Sequence, residues 1–181
     1  SSDVCSSDLA HIEDLPRLIR NLKSLLSPKT VVVIENHYLG AVLDTGQFDT
    51  FYHEHPRTYT IRSFEHVARG LGLHLTDFEF TTRYGGNIRV FLSTEPPKRA
   101  APDESGFAAK FVQMATDMNA WRNSARGMID GLVAKYGPLR AKAFPGRAAI
   151  LIKLLGLDEH QIGALYEIKG SIKVEIGRAH V

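Results

Sequence analysis

Hydrophobic residues recur along the first part of the chain at spacings that predict a helix followed by a strand. In residues 11–26 they fall every three or four positions, the spacing of a helix with one buried face, and Pro16 is tolerated near its first turn. Residues 31–36, VVVIEN, form a β-branched run without polar alternation, which is typical of a strand buried on both faces of a parallel sheet. The two elements predict half of a βαβ unit.

The pattern then predicts a second helix and a hairpin. Residues 61–71 place their apolar side chains on one helical face, with Ser63 as the candidate cap. Residues 73–81 and 88–93 have the composition of strands, and the sequence YGGN at 84–87 between them is a hairpin turn signal.

The rest of the chain predicts a long helix and a second α/β unit. A proline- and charge-rich stretch at residues 95–105 is the predicted linker. Residues 106–136 carry methionine and aromatic residues at three- and four-residue steps, so we expect one amphipathic helix whose stripe is core rather than a cofactor site. A strand at 139–144, a helix at 148–155 and a strand at 164–168 follow in the order that opens a Rossmann-like unit. The predicted fold class is α/β.

Composition is ordinary for a soluble globular chain, since 44% of the 181 residues are hydrophobic and 23% are charged. The net charge of +2 gives no electrostatic case for a nucleic-acid or anionic membrane partner. No apolar run approaches the roughly 20 residues that span a bilayer. The single Cys5 excludes an internal disulfide framework and a multi-cysteine zinc site in this sequence. We therefore expect a cytoplasmic protein.

The two ends of the sequence differ from the rest. Residues 1–9, SSDVCSSDL, nearly repeat themselves around Cys5, and residues 175–181 read EIGRAHV. Both resemble translated sequencing-adapter sequence, so we expect an artefactual leader and tail without function. The body between them is expected to be an internal piece of a longer protein.

The strongest chemical signal is the run Tyr52-His53-Glu54-His55. On an extended strand Tyr52 and Glu54 point to one side and both histidines to the other, whereas a turn lets three of the four converge. A histidine titrates near neutral pH and can act as the base for a moderately acidic C–H or O–H. A neighbouring carboxylate can orient the imidazole, and a tyrosine hydroxyl can donate to a developing oxyanion. These are the parts needed to form an enolate next to a ketone.

Two other interpretations of this run stay open. It can be a polar surface loop of a non-catalytic α/β module. Alternatively, His53 and His55 can bind a metal ion in a metal-dependent hydrolase or isomerase, because alternate residues of a strand share one face. A third ligand would have to come from Glu35, His37, Asp49 or His11. Convergence of Tyr52, Glu54, His55 and His11 in one cleft favours catalysis, whereas side chains splayed into solvent favour a polar loop.

Three further places are candidate parts of a site. Glu35 and His37 stand at the carboxyl end of the first predicted strand, where ligands bind in open α/β sheets. Gly85 and Gly86 fit either a turn with positive φ or a close approach of substrate. The Pro-Gly-Arg turn at 145–147 precedes a helix and is a weak phosphate-cradle signal, because neither glycine-rich nucleotide motif is present.

Residues 48–60, FDTFYHEHPRTYT, resemble the S-adenosylmethionine-dependent nucleotide-sugar C-methyltransferase family. Members carry a segment like FDxxYHEHxxYxS after a strand like VxVIEVPYL, and residues 31–55 are similar to this whole stretch. Residues 83–93, RYGGNIRVFLS, are similar to the family's HGGSLRVYV, and residues 10–28 are similar to AHVxDLxxFLxxxxxLL. The resemblance covers most of residues 11–93 and continues more faintly toward the C-terminus.

The resemblance implies a protein of three parts: a small zinc-binding N-terminal domain, a class I methyltransferase domain with a Rossmann-like sheet, and a C-terminal Rossmann-like domain that helps hold the nucleotide sugar. Residues 10–94 would be the C-terminal portion of the methyltransferase domain, residues 95–105 the linker, and residues 106–174 the long helix and the truncated start of the last domain. Zinc would bind only in the missing N-terminal domain. The glycine-rich loop for S-adenosylmethionine would lie upstream of residue 10, so no cofactor-binding residue and no metal ligand is assigned.

The resemblance also implies a reaction and roles for particular residues. Family members deprotonate a carbon next to a 4-keto group of a nucleotide-linked deoxysugar and methylate it from S-adenosylmethionine. His55 would be the general base, while Tyr52 and Glu54 would bind or orient the sugar and the base. The further substrate-binding candidates are His11, His53, Tyr59, Gly85 and Gly86.

The sequence departs from the family pattern at two places that bear on the substrate. Asn36-His37 replaces the more common Val-Pro, and residues 141–157, AKAFPGRAAILIKLLGL, replace AYGASAKGNTLLNYCGI. The identity of the sugar, the nucleotide base and the oligomeric state therefore stay open. We expect that the chain by itself does not bind the cofactor tightly.

Overall fold

The computed structural model describes residues 9–52, 54–142 and 146–166, and the predicted α/β class is confirmed. Cys5, most of the predicted leader and all of the predicted tail lie outside the described residues. In chain order the helices and strands are α1 (Leu15–Lys23), β1 (Val32–His37), α2 (Leu39–Thr45), α3 (Ile61–Leu71), β2 (His74–Thr81), β3 (Asn87–Ser93), α4 (Phe107–Tyr136), β4 (Leu139–Lys142), α5 (Gly146–Leu155) and β5 (Ile162–Tyr166). Short 3₁₀ turns lie at Leu9–His11, Phe48–Thr50 and Arg83–Gly85.

The first three strands form a sheet in the order β1-β3-β2. β3 is antiparallel to both neighbours, so β1 and β2 run in the same direction and the chain crosses between them through α2 and α3. The sequence predicts a parallel neighbour for β1, but within the described residues its partner is the antiparallel β3. β3 occupies one edge of β1, so a parallel neighbour at the other edge stays a prediction. Burial shows only that a strand is covered and not which way its neighbour runs.

The main core lies on the face of the sheet that packs against α3. The side chains of α3 predicted to be buried are all buried, and α1 packs against α3 from outside, with the Ile19 side chain against Gly70. Across from them, alternate side chains of the central strand are fully enclosed, namely Ile88, Val90 and Leu92. The predicted hairpin is confirmed, since β2 and β3 pair antiparallel around the 84–87 turn.

The first predicted helix is shorter than its hydrophobic pattern implied. The Asp14 side chain accepts a hydrogen bond from the Arg17 amide at 2.9 Å and caps α1, with Pro16 in the first turn as expected. The residues before it form the 3₁₀ turn at Leu9–His11 instead of helix. Leu9, which the sequence analysis counts with the leader, is only 3% exposed and belongs to the core cluster.

The amino end of α3 has all of its first four backbone N–H groups satisfied by side chains. Thr60, not Ser63 as predicted, is the cap, because its hydroxyl accepts from the Ser63 amide at 3.1 Å while the Ser63 hydroxyl accepts from the Thr60 amide at 3.3 Å. The Glu104 carboxylate accepts from the amides of Ile61 at 2.8 Å and Arg62 at 3.4 Å. A carboxylate is favoured here by the positive end of the helix dipole.

Glu104 also ties the end of β1 to this helix end. It accepts a hydrogen bond from the Tyr38 hydroxyl at 3.1 Å, immediately after β1. Burial, and secondarily the charge of Glu104, raises the pKa of Tyr38, so this phenol stays protonated and continues to donate. The segment predicted as a linker thus contributes a side chain to the fold around the site.

The chain divides into two compact units within α4, the first reaching Met114 and the second beginning at Ala115. In the second unit β4 and β5 are parallel and are joined through α5, which confirms the predicted strand-helix-strand unit. Pro145 of the candidate phosphate turn lies outside the described residues.

The long helix α4 was predicted correctly, but its packing was not. Of the α4 residues, only Met114 is buried, and Trp121 and Phe111 of the predicted core stripe are exposed. A helix of 30 residues is about 45 Å long, whereas the described part of the second unit offers one 10-residue helix and two short strands to cover it. None of the described helices combines the length and apolar content that crossing a bilayer requires.

Replacing Glu104 with alanine is expected to lower the free energy of unfolding by about 1–3 kcal/mol, because two α3 amides and the Tyr38 hydroxyl lose a charged acceptor. Urea denaturation of the chain measures this loss. Glu95→Ala, at an exposed carboxylate of the same segment, is the control and should change stability by less than about 0.5 kcal/mol. Equal effects of the two substitutions would contradict the capping role.

Candidate functional site

The histidine-rich run folds as a turn and not as an extended strand. The His55 amide donates to the Tyr52 carbonyl at 2.8 Å, which closes a four-residue turn. The turn brings the Tyr52 and His55 rings to a centroid separation of 4.5 Å, on the same side of the segment. Of the two arrangements that the sequence leaves open, the structure therefore shows the one that allows convergence.

The His55 imidazole is half-buried and is oriented by a backbone carbonyl. Its Nδ1 lies 3.2 Å from the carbonyl oxygen of Thr50, a residue that is 1% exposed in the 3₁₀ turn Phe48–Thr50. A carbonyl can only accept, so in the neutral ring the proton lies on Nδ1 and the lone pair on Nε2. The Tyr52 hydroxyl is 3.5 Å from that Nε2.

Two more imidazoles stand beside His55. His11, from the 3₁₀ turn before α1, meets it edge-on with ring centroids 4.7 Å apart. His37, the last residue of β1, has its ring centroid 6.0 Å from that of His55 and 6.2 Å from that of Tyr84. We call Tyr52, His55, His11 and His37 the imidazole cluster.

His37 lies at the carboxyl end of β1, on a polar face of the sheet. The register pairs Glu35 with Arg89 and His37 with Asn87, so these four side chains share one side of the sheet. The Glu35 carboxylate accepts from Arg89 Nη2 at 2.8 Å, from Arg89 Nε at 3.1 Å and from Asn87 Nδ2 at 3.1 Å. Polar residues therefore line this strand end, and their role as the wall of a site stays a prediction.

The charge state of Glu35 follows from these contacts. Burial alone would raise the pKa of this carboxyl, but the hydrogen bonds from Asn87 and Arg89, together with the charges of Arg89 and Arg83, hold the pKa below its ordinary value. Glu35 is thus an ionised, fully engaged residue that supports the sheet face beside His37.

Two other predicted site residues, Tyr59 and Glu54, lie outside the imidazole cluster. Tyr59 is 2% exposed, stacks on Phe64 and donates its hydroxyl to the Leu9 carbonyl at 3.2 Å, so it packs in the core. The Glu54 side chain is exposed on the turn. His53 lies outside the described residues.

Gly85 and Gly86 have positive φ values of 83° and 130° in the turn that also carries Tyr84. A Cβ at Gly85 would meet the Gln47 side chain at 2.4 Å, and one at Gly86 would meet Ala41 at 2.4 Å. Both glycines therefore have a structural reason to be there, and their contact with substrate stays a prediction.

The metal-site alternative finds no group of three candidate ligands among the residues that the structure describes. Its first ligand, His53, is not among them, so that interpretation is not tested. Of the proposed third ligands, His11 and His37 lie beside His55, whereas Glu35 is bound by Arg89 and Asn87.

Two residues that contact the cluster or the backbone beside it were not predicted from the sequence. Thr50 acts through its backbone carbonyl, which no side-chain pattern reveals. Arg57 donates from Nη1 to the Ile12 carbonyl and from Nη2 to the Glu13 carbonyl at 2.8 Å. The sequence pointed to Arg57 only through its position two residues after His55.

Comparison with known proteins points to methyl transfer. No family model matches the chain. A curated protein from Streptomyces niveus, described as C-methyltransferase NovU, is 26% identical over 165 residues, covering 84% of this chain and 39% of that protein. The chain therefore spans about two fifths of the length of the relative that it matches, and it is similar to a C-methyltransferase over most of its own length.

The ionised Glu35 should make folding stability depend on acid pH. Because its pKa is lowered in the folded chain, its contribution is complete above the ordinary glutamate value of about 4.3 and is lost as pH falls through the lower, folded-state value. Glu35→Gln should destabilise the chain by about 1–3 kcal/mol at neutral pH, with the difference from wild type shrinking toward pH 3. Denaturation at several pH values measures this.

The matched control is Glu79→Gln. Glu79 also pairs with Arg89, at 3.4 Å, but its side chain is 55% exposed against 4% for Glu35. An exposed pair contributes about 0–1 kcal/mol, so a loss at Glu79 equal to that at Glu35 would refute the buried network.

Proposed function

We propose that this chain contributes the proton-abstracting site of an S-adenosylmethionine-dependent C-methyltransferase that acts on a nucleotide-linked keto-deoxysugar. In this reaction His55 Nε2 takes a proton from the carbon next to the ketone, and the C–H electron pair moves into the carbonyl to give an enolate. The enolate carbon then attacks the donor methyl group, and the thioether leaves. S-adenosylmethionine is consumed in each turnover, so we treat it as a substrate, and none of the described residues is assigned to its binding.

The observation that carries the proposal is the contact between His55 Nδ1 and the Thr50 carbonyl at 3.2 Å. This contact favours the neutral tautomer with its proton on Nδ1 and its lone pair on Nε2, which lies 3.5 Å from the Tyr52 hydroxyl. The same carbonyl stabilises the imidazolium formed after proton capture, because Nδ1–H remains its donor. The buried Thr50 carbonyl thus orients this histidine in the way that an aspartate orients the histidine base of a Ser-His-Asp triad.

Tyr52 is the group suited to the developing negative charge. Its hydroxyl is 3.5 Å from His55 Nε2, which is long for a hydrogen bond but typical of a catalytic pair that tightens when substrate binds. A substrate C–H at Nε2 would put the adjacent carbonyl oxygen within reach of the tyrosine hydroxyl. His11 and His37 would line the same site from two other elements.

The similarity to C-methyltransferase NovU supports the reaction type, and the FDTFYHEH segment supports the sugar substrate. Glu54 and His53 are included in the proposed site only because they belong to that motif. Of the four residues whose convergence would favour catalysis, Tyr52, His55 and His11 lie together, whereas Glu54 is exposed on the turn. The contacts among these three residues support catalysis over a polar loop.

His55→Gln should abolish substrate deuteration in D₂O, with a loss of about 10²–10⁴-fold or more. The test uses the protein translated from the complete reading frame, with a keto-sugar nucleotide, and follows deuterium uptake by NMR or mass spectrometry. His66→Gln, at an exposed position in α3, is the control and should exchange at the wild-type rate. Undiminished exchange in His55→Gln would remove His55 from the base role.

Tyr52→Phe should slow exchange about 10²–10³-fold, as expected for the loss of one oxyanion donor, without preventing substrate binding. Tyr136→Phe, in the exposed part of α4, provides the matched removal of a phenol hydroxyl. A rate for Tyr52→Phe equal to that of Tyr136→Phe would show that the Tyr52 hydroxyl plays no part.

A further inference from the structure

The backbone next to His11 is held by side chains that come from the segment carrying His55. His11 is itself exposed, so burial does not fix its ring. Its neighbours Ile12 and Glu13 lie between the 3₁₀ turn and the cap of α1, where their carbonyls are outside the hydrogen-bond ladder of the helix. Both carbonyls accept hydrogen bonds from Arg57.

A guanidinium suits this arrangement because it presents several donors in one rigid plane. Nη1 and Nη2 of Arg57 reach two successive carbonyls at once, which fixes the direction of the backbone as well as its distance. A lysine ammonium has no such planar fork. On the other side of His11, the Tyr59 hydroxyl donates to the Leu9 carbonyl at 3.2 Å, so residues 9–13 are held at both ends.

The attachment links the two imidazoles through a short piece of chain. Arg57 follows His55 by two residues, and His55 is itself anchored to the Thr50 carbonyl. Any movement of the segment at 50–57 therefore moves both His55 and Arg57, and Arg57 binds the backbone next to His11. The ring centroids of His11 and His55 are 4.7 Å apart, and the hydrogen bonds of Thr50 and Arg57 connect the two residues without passing through the sheet.

We infer that Arg57 is a positioning residue that sets the His11 imidazole edge-on against His55 by binding the Ile12 and Glu13 carbonyls. Its removal leaves both histidines in place in the sequence but frees the 9–13 segment to change the angle and distance of the His11 ring. The catalytic consequence rests on the function proposed above, whereas the ring geometry can be measured without it.

The test is the nuclear Overhauser effect between the ring protons of His11 and His55 in the 181-residue chain. Wild type should show the cross-peak. Arg57→Met keeps the apolar stem, removes every donor, and should lose the cross-peak. Arg57→Lys should restore part of it through one carbonyl. Arg99→Ala, which removes a surface arginine paired with Asp77, should keep it at wild-type intensity.

A full-strength cross-peak in folded Arg57→Met would overturn the assignment. If that variant does not fold, Arg57→Lys decides the question, because a cross-peak of wild-type intensity there would show that the two-carbonyl fork is not needed. In the full-length protein, Arg57→Met should also lower the exchange rate at saturating substrate. Absence of exchange in wild type together with an intact cross-peak would count against the proposed function and leave the positioning role standing.

Discussion

The hydrogen bond from the His55 amide to the Tyr52 carbonyl is the contact on which the candidate site depends. In an extended segment, side-chain alternation would have separated Tyr52 from His55, whereas the turn brings their rings to a centroid separation of 4.5 Å. The turn alone does not orient the imidazole, and the Thr50 carbonyl supplies that constraint from within the same segment. Together, these two backbone contacts bring the ring beside Tyr52 and favour the tautomer with its lone pair on Nε2.

The sheet matters to the site mainly through the end of β1. The insertion of β3 between β1 and β2 gives Glu35 a cross-strand partner in Arg89 and puts His37 opposite Asn87. Just beyond, the backbone after β1 bonds to both flanking segments, with the Tyr38 amide donating to Gly86 and the Leu39 amide to Tyr59. The site is thus made where three separate stretches of chain are hydrogen-bonded to each other.

Much of the fold follows from local pattern. The helix at Ile61–Leu71, the hairpin and the long helix agree with their predictions because apolar period and turn chemistry are properties of neighbouring residues. The antiparallel neighbour of β1 and the exposure of Trp121 could not be predicted, since both depend on which distant elements cover a surface. Ser63 was predicted as the cap of α3, but Thr60 three residues earlier carries a similar hydroxyl and gives the same cap signal in the sequence. The hydrogen bonds in the structure identify Thr60 as the cap.

The candidate site was predictable in its residue types but not in its connections. The run of Tyr52 and His55 stands out because adjacent ionisable groups are costly to bury, and a turn was one of its two foreseeable conformations. Thr50 and Arg57 both lie within the 48–60 segment, but their roles could not be foreseen because each acts on or through a backbone carbonyl, which no side-chain pattern reveals. Tyr59 shows the converse, since a residue that a motif associates with substrate has its hydroxyl bonded inside the core.

The most direct test of the account is the tautomer of neutral His55, read from the two-bond nitrogen–proton correlation pattern of its ring in ¹⁵N-labelled protein. The account predicts a proton on Nδ1 and a bare Nε2, which is the less common form of free histidine and is imposed here by the Thr50 carbonyl. A ring protonated on Nε2 would leave no lone pair beside Tyr52 and would contradict the assignment of His55 as the base.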